Sequence, residues 1–124
     1  MGGYKPGRGQ IADNLEVTGQ AYSSINTLTD EANIATNCDD GNSHKVTLGG
    51  NRTLSNPTNM QTGATYLWII VQDGTGGRTL AYGNKFKFPG GGEPVLSTTA
   101  NAVDLLSAVY DGTNFLANLS KTYS

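Results

Sequence analysis

The chain has 124 residues, with 8 lysines and arginines against 10 carboxylates and a net charge of −2, which removes the basic field that nucleic acid or an anionic membrane would require. A single cysteine, Cys38, rules out an intrachain disulfide, and with His44 as the one histidine no zinc framework can be assembled. Seventeen glycines and only 15% charged residues favour strands and turns, while 36% apolar residues at so low a net charge set the chain apart from disordered sequences.

A chain of this length folds as one unit that buries roughly two thirds of its unfolded surface. Its first ten residues carry four glycines, Pro6, Tyr4, Lys5 and Arg8 and have no apolar periodicity. They are predicted to be an extended arm that orders only on docking, ahead of one domain over residues 11–124. Between residues 11 and 24 the pattern is weak, with Leu15, Val17 and Tyr22 marking a short strand. Residues 25–29 and 33–37 read as two further short strands, although residues 29–32 also resemble the cap of one helical turn.

The alternation Lys45-Val46-Thr47-Leu48 predicts a half-buried strand, and Arg52-Thr53-Leu54 follows it after a glycine bend. Residues 64–72 are apolar on both faces: Tyr66, Trp68 and Ile70 point one way and Leu67, Ile69 and Val71 the other. Such a strand lies between two layers, so its second face needs covering loops or a neighbouring subunit. Asp73-Gly74-Thr75-Gly76-Gly77 supplies the positive-φ positions of a hairpin turn into residues 78–82, and Asp111-Gly112-Thr113-Asn114 does the same between residues 103–110 and 115–119. About eight strands at a turn spacing of roughly ten residues suit a sandwich or barrel.

Groups that could carry chemistry are sparse. Cys38, Asp39, Asp40 and His44 match no tetrahedral metal spacing and are better read as a polar hairpin tip around Asp40-Gly41-Asn42. A Cys38/His44 nucleophile pair lacks a third group to orient the base. The glycine-rich segment 73–79 has neither the Gly-Lys-Ser/Thr ending nor the helix of a phosphate cradle. The alternation Lys85-Phe86-Lys87-Phe88 has the look of a single-strand nucleic-acid surface, but it is met more simply by two phenylalanines facing the core and two lysines facing solvent. No enzymatic activity, cofactor, metal, nucleic acid or membrane contact is expected, and the longest apolar run, residues 67–71, is too short to cross a bilayer. Without a signal-peptide h-region, synthesis and folding in the cytoplasm are expected.

The order of the motifs Asn51-Arg52-Thr53-Leu54, Tyr66-Leu67-Trp68-Ile69-Ile70-Val71-Gln72-Asp73-Gly74, Phe88-Pro89-Gly90-Gly91-Gly92 and Tyr110-Asp111-Gly112-Thr113-Asn114-Phe115 resembles the C-terminal module of phage tail-fibre and capsid decoration proteins. The resemblance spans about two thirds of the chain. It implies an all-β, jelly-roll-like β-sandwich behind the extended N-terminal arm, displayed on the virion surface as a homotrimer. Two roles of different class follow. One is a cement or decoration protein that stabilises the head, binding the major capsid protein through an arm containing Tyr4, Lys5 and Arg8. The other is a tail-fibre or head-fibre tip that binds a host-surface glycan. The trimer contact is expected at or near Leu67, Trp68 and Ile69.

Overall fold

The computed structural model describes residues 16–124; the arm residues Tyr4, Lys5 and Arg8, and Leu15, lie outside them. The chain forms nine strands in order: β1 (Ile25–Thr27), β2 (Asn33–Ile34), β3 (Ser43–Leu48), β4 (Arg52–Leu54), β5 (Thr65–Gln72), β6 (Leu80–Tyr82), β7 (Phe86–Lys87), β8 (Val103–Tyr110) and β9 (Phe115–Tyr123). Two short 3-10 turns, Cys38–Asp40 and Pro89–Gly91, are the helical segments among the described residues. The all-β class is thus as the sequence implies. No strand forms over residues 16–24, where Val17 and Tyr22 are exposed.

The pairing departs from that of a jelly roll, whose sheets are antiparallel. One sheet has the order β1-β3-β5-β8-β9-β7 and the other β2-β4-β6. Within them β1, β3 and β5 run parallel, as do β2, β4 and β6. Each coil of chain therefore lays one strand in each sheet, and the next coil stacks on it after 18 to 28 residues, from Ile25 to Ser43 at the shortest and from Arg52 to Leu80 at the longest, the organisation of a short solenoid. Segment 73–77 is accordingly a corner between two sheets and not a hairpin turn, since β6 pairs with β4 rather than with β5. The second predicted turn is a hairpin: β8 and β9 pair antiparallel from Tyr110 and Phe115 outward. β8 also pairs antiparallel with β5, so the hairpin extends the larger sheet beyond the last coil.

Polar corners tie one coil to the next. Asn59 Nδ2 donates to Asn37 Oδ1 at 2.9 Å, Asn56 Nδ2 to Asn84 Oδ1 at 2.8 Å, and Thr79 N to Asn51 Oδ1 at 3.0 Å. Each of these bonds joins residues of neighbouring coils, and the third satisfies a backbone N–H that the turning chain would otherwise leave unpaired. Asp30 performs the same task across the first corner, accepting from Arg52 Nε at 2.8 Å and from Gly49 N at 3.0 Å. The Arg52 guanidinium holds its carboxyl below the usual carboxylate range.

Between the sheets lies an aromatic core. Trp68 is wholly buried, edge-on to Phe86 and Phe115 with ring centroids 5.5 and 5.9 Å away, and its indole N–H donates to Thr36 Oγ1 at 3.0 Å. Phe86 and Phe115 stack on each other at 5.2 Å, so the coil and the hairpin share one core. Two buried polar groups close one end of it. Gln72 donates from Nε2 to the carbonyls of Arg78 (2.8 Å) and Ser97 (2.9 Å), while Asp104 accepts from Ser97 N (2.7 Å) and Thr122 N (2.8 Å). Both clamp the irregular segment around Ser97 to the strands, and a buried carboxylate is tolerable because its oxygens are so paired.

Candidate functional site

The residues singled out for chemistry fall inside the fold. His44 sits on β3 and not in a loop, wholly buried, its Nδ1 3.1 Å from Asn26 Nδ2 and its ring stacked on Trp68 at 5.8 Å. Alternation along Ser43–Leu48 turns it inward together with Val46 and Leu48. Nε2 has no hydrogen-bond partner, and burial lowers the imidazole's pKa against the opposing influence of the Gly41 backbone and Asp40. Cys38 opens the first 3-10 turn, nearly buried, and desolvation pushes its thiol up to about 11 despite a contact with Tyr66. A thiol kept protonated is a poor nucleophile. No group of three or more His, Cys, Asp or Glu side chains among the described residues is placed to hold a metal ion.

The lysine–phenylalanine alternation is divided as the structural reading predicts. Phe86 is buried in the core and Phe88 half-buried against Tyr82, with ring centroids 4.8 Å apart, whereas Lys87 is exposed and Lys85 Nζ donates to the Thr113 carbonyl at 3.2 Å.

The remaining candidate surface is the outward face of the larger sheet. On β5 the side chains alternate strictly: Tyr66, Trp68, Ile70 and Gln72 are buried, whereas Leu67, Ile69 and Val71 are half-buried on the other side. Trp68 is thus enclosed by its own protomer, and the outward surface of this strand is Leu67, Ile69 and Val71. Pairing with β8 extends it, since Ile69 lies opposite Leu105 and Val71 opposite Val103. At the far edge Val109 pairs with Leu116, which is 51% exposed, and on the other side Lys45 lies beside Ile69. The result is an apolar strip on β5 and β8, bordered by Lys45 and Thr47 on one side and by Ser107, Asn118 and Ser120 on the other, with Val109 and Leu116 forming a separate apolar pair near the hairpin turn.

The sequence placed Leu67, Ile69 and Val71 on one face but did not join Val103 and Leu105 to it. Their signal was the apolar alternation of residues 103–109, and only the β5–β8 pairing shows that it continues the face of β5. An apolar strip left half open to water is a candidate interaction surface.

No curated protein and no solved structure matches the chain. A family model does, over residues 17–115, which take in the coil, the corner segments and the hairpin as far as the start of β9. The chain belongs to the family described as "Putative phage tail fibre C-terminal domain", and is a structural component of a phage virion.

Proposed function

We propose that this protein is the distal, host-facing module of a phage tail fibre and that it assembles as a homotrimer through the outward face of its six-stranded sheet. The observation that carries the reading is the apolar strip Leu67, Ile69, Val71, Val103 and Leu105, which a lone protomer leaves only half-buried. Covering it releases that water, at about 25 cal/mol per Å² of apolar surface. Three copies around an axis give each strip a partner and close the assembly. The family's tail-fibre description supports the distal position. The role requires no catalysis: a rigid, all-β body presents a surface, and its buried Cys38 and His44 serve packing.

Quantitative mass spectrometry of purified virions tests the placement. A tail-fibre module is present in a handful of copies, whereas hundreds of copies would replace this reading with decoration of the head through the major capsid protein. Sedimentation tests the assembly: the wild-type chain is expected to run as a trimer at micromolar concentration, and the paired substitution Leu67→Asp with Ile69→Asp as a folded monomer. A wild-type monomer would count against the strip as a subunit contact.

A further inference from the structure

Resting on the host-facing reading above, we propose that an open groove where the chain leaves β7 beside β9 binds a saccharide carrying a carboxylate or phosphate group. The groove encloses about 410 Å³ and is lined by Lys87, Phe88, Pro89, Leu116, Ala117 and Asn118. Its walls follow from strand register. β7 and β9 run parallel with Lys87 beside Leu116, so alternation brings Lys87, Leu116 and Asn118 to the solvent side while Phe86, Phe115 and Ala117 fill the core.

Each lining group has a separate use. Phe88 is backed edge-on by Tyr82 at 4.8 Å, so its ring is held in place and offers an apolar surface against which the C–H face of a sugar can pack at little entropic cost. Leu116, half exposed, provides a second apolar wall. The Asn118 amide is exposed and supplies both a donor and an acceptor for hydroxyl groups.

Lys87 sets the charge. The ion pairs among the described residues are Arg52–Asp30 and Arg78–Asp73, and neither involves it. Lys85, its neighbour on the chain, is tied to the Thr113 carbonyl. Lys87 is therefore the ammonium available to an incoming anion, and it is the one charged side chain lining the groove.

Other occupants fit less well. A peptide adding as a strand would need a longer edge than the two residues of β7, and a nucleic-acid strand would need a run of cations where there is one. The volume is that of a small-ligand site. Leu116 lies opposite Val109 near the hairpin turn, whereas Leu105 and Val103 lie opposite Ser120 and Tyr123 at the other end of the same strands, so the groove is set apart from the proposed subunit contact.

The test is a titration of the full chain, followed by amide chemical shifts, with four probes: a hexuronic acid, a hexose 6-phosphate, the neutral hexose and inorganic phosphate. The two charged sugars separate an acidic capsular saccharide from a phosphorylated lipopolysaccharide core as the natural source. At least one of them is expected to shift the amides of Leu116 and Asn118 saturably, more tightly than the neutral hexose or free phosphate. Lys87→Gln should raise its Kd about tenfold or more, and Lys87→Arg should restore most of the affinity. Phe88→Leu should weaken both charged and neutral sugars. Sedimentation of every variant confirms that assembly is intact. Equal binding of phosphate or neutral hexose, no binding of either charged sugar, or a Kd unmoved by Lys87→Gln would each overturn the assignment. A groove that fails while virions hold only a handful of copies removes this site and leaves the fibre role standing. A groove that binds while virions hold hundreds removes the fibre role instead.

Discussion

The parallel coil of residues 25–82 and the antiparallel hairpin of residues 103–123 share one aromatic core but are specified in different ways. In the hairpin the instruction is local. Asp111 Oδ1 accepts from Thr113 N and Asn114 N at 2.9 and 2.7 Å, and its own N–H donates to the Asn114 carbonyl, so four residues reverse the chain and set the register of both strands. In the coil, paired residues are 18 to 28 positions apart in sequence, as in Ile25 with Ser43 and Arg52 with Leu80. Their register depends on corner asparagines, on glycines where two coils come close, and on the core beneath. A local turn is robust to distant changes, whereas a stack of coils fails together when its core or a close corner is altered.

The largest effect is expected where both regions meet. Trp68→Ala removes a wholly buried ring that touches Phe86, Phe115 and His44 and leaves Thr36 Oγ1 without its donor. A loss of about 3–5 kcal/mol by urea unfolding is expected, with the spectroscopic signals of coil and hairpin disappearing in one transition. Two separate transitions would show that the regions are not one cooperative unit.

Corner geometry comes next. A Cβ at Gly76 would lie 2.7 Å from both Ala100 N and Thr98 O, and its φ is +74°. Gly76→Ala should cost about 2–3 kcal/mol. Gly74, two residues earlier, has open space around its Cβ position, so Gly74→Ala should change the midpoint hardly at all. Equal effects at the two sites would mean that the corner does not carry the stack.

Acid separates the core histidine from the surface pairs. His44 is held neutral by burial, so its folded pKa lies below the ordinary value. The unfolded chain takes up the proton first, and stability is expected to fall as pH drops below about 6.5, with the loss complete below the folded pKa. His44→Phe should flatten this part of the profile. The Asp73 carboxyl is lowered to about 2 by hydrogen bonds from Arg78 and the Gly76 backbone, so its contribution is present above the usual carboxylate range and is lost only as pH falls toward that value. A wild-type profile flat between pH 6.5 and 5 would contradict the assignment to His44.

The smallest effect compares one corner with the hairpin turn. Asn56→Ala removes the bonds to Asn84 Oδ1 and from Lys85 N, and Asp111→Ala removes the two that close the hairpin. Each should cost about 1 kcal/mol. Hydrogen exchange is expected to distinguish them: exposure spreads over β4, β6 and β7 in the first variant and stays near the tip of β8 and β9 in the second.

Where inference from sequence failed, the failures have a common source. Asp73-Gly74-Thr75-Gly76-Gly77 and Asp111-Gly112-Thr113-Asn114 carry similar turn chemistry, yet only the second closes a hairpin, because the first is followed by a strand whose partner, β4, lies earlier in the chain. His44 looks like a member of a polar loop with Asp39 and Asp40, and it is buried because β3 begins one residue before it. The groove at Lys87 and Asn118 joins residues from two separate alternating patterns, and neither pattern refers to the other.

By itself the sequence determined the all-β class, the two-sided character of the strand through Trp68, the Asp111–Asn114 hairpin and the inward turn of Phe86. Each of these follows from side-chain alternation or turn chemistry within a few residues. The tertiary structure alone decided that the coil strands run parallel, that Val103 and Leu105 continue the face of Leu67 and Ile69, and that Trp68 belongs to the interior. Pairing between distant strands depends on which backbone edges and apolar faces meet once the chain has compacted, and period-2 alternation is identical for parallel and antiparallel neighbours.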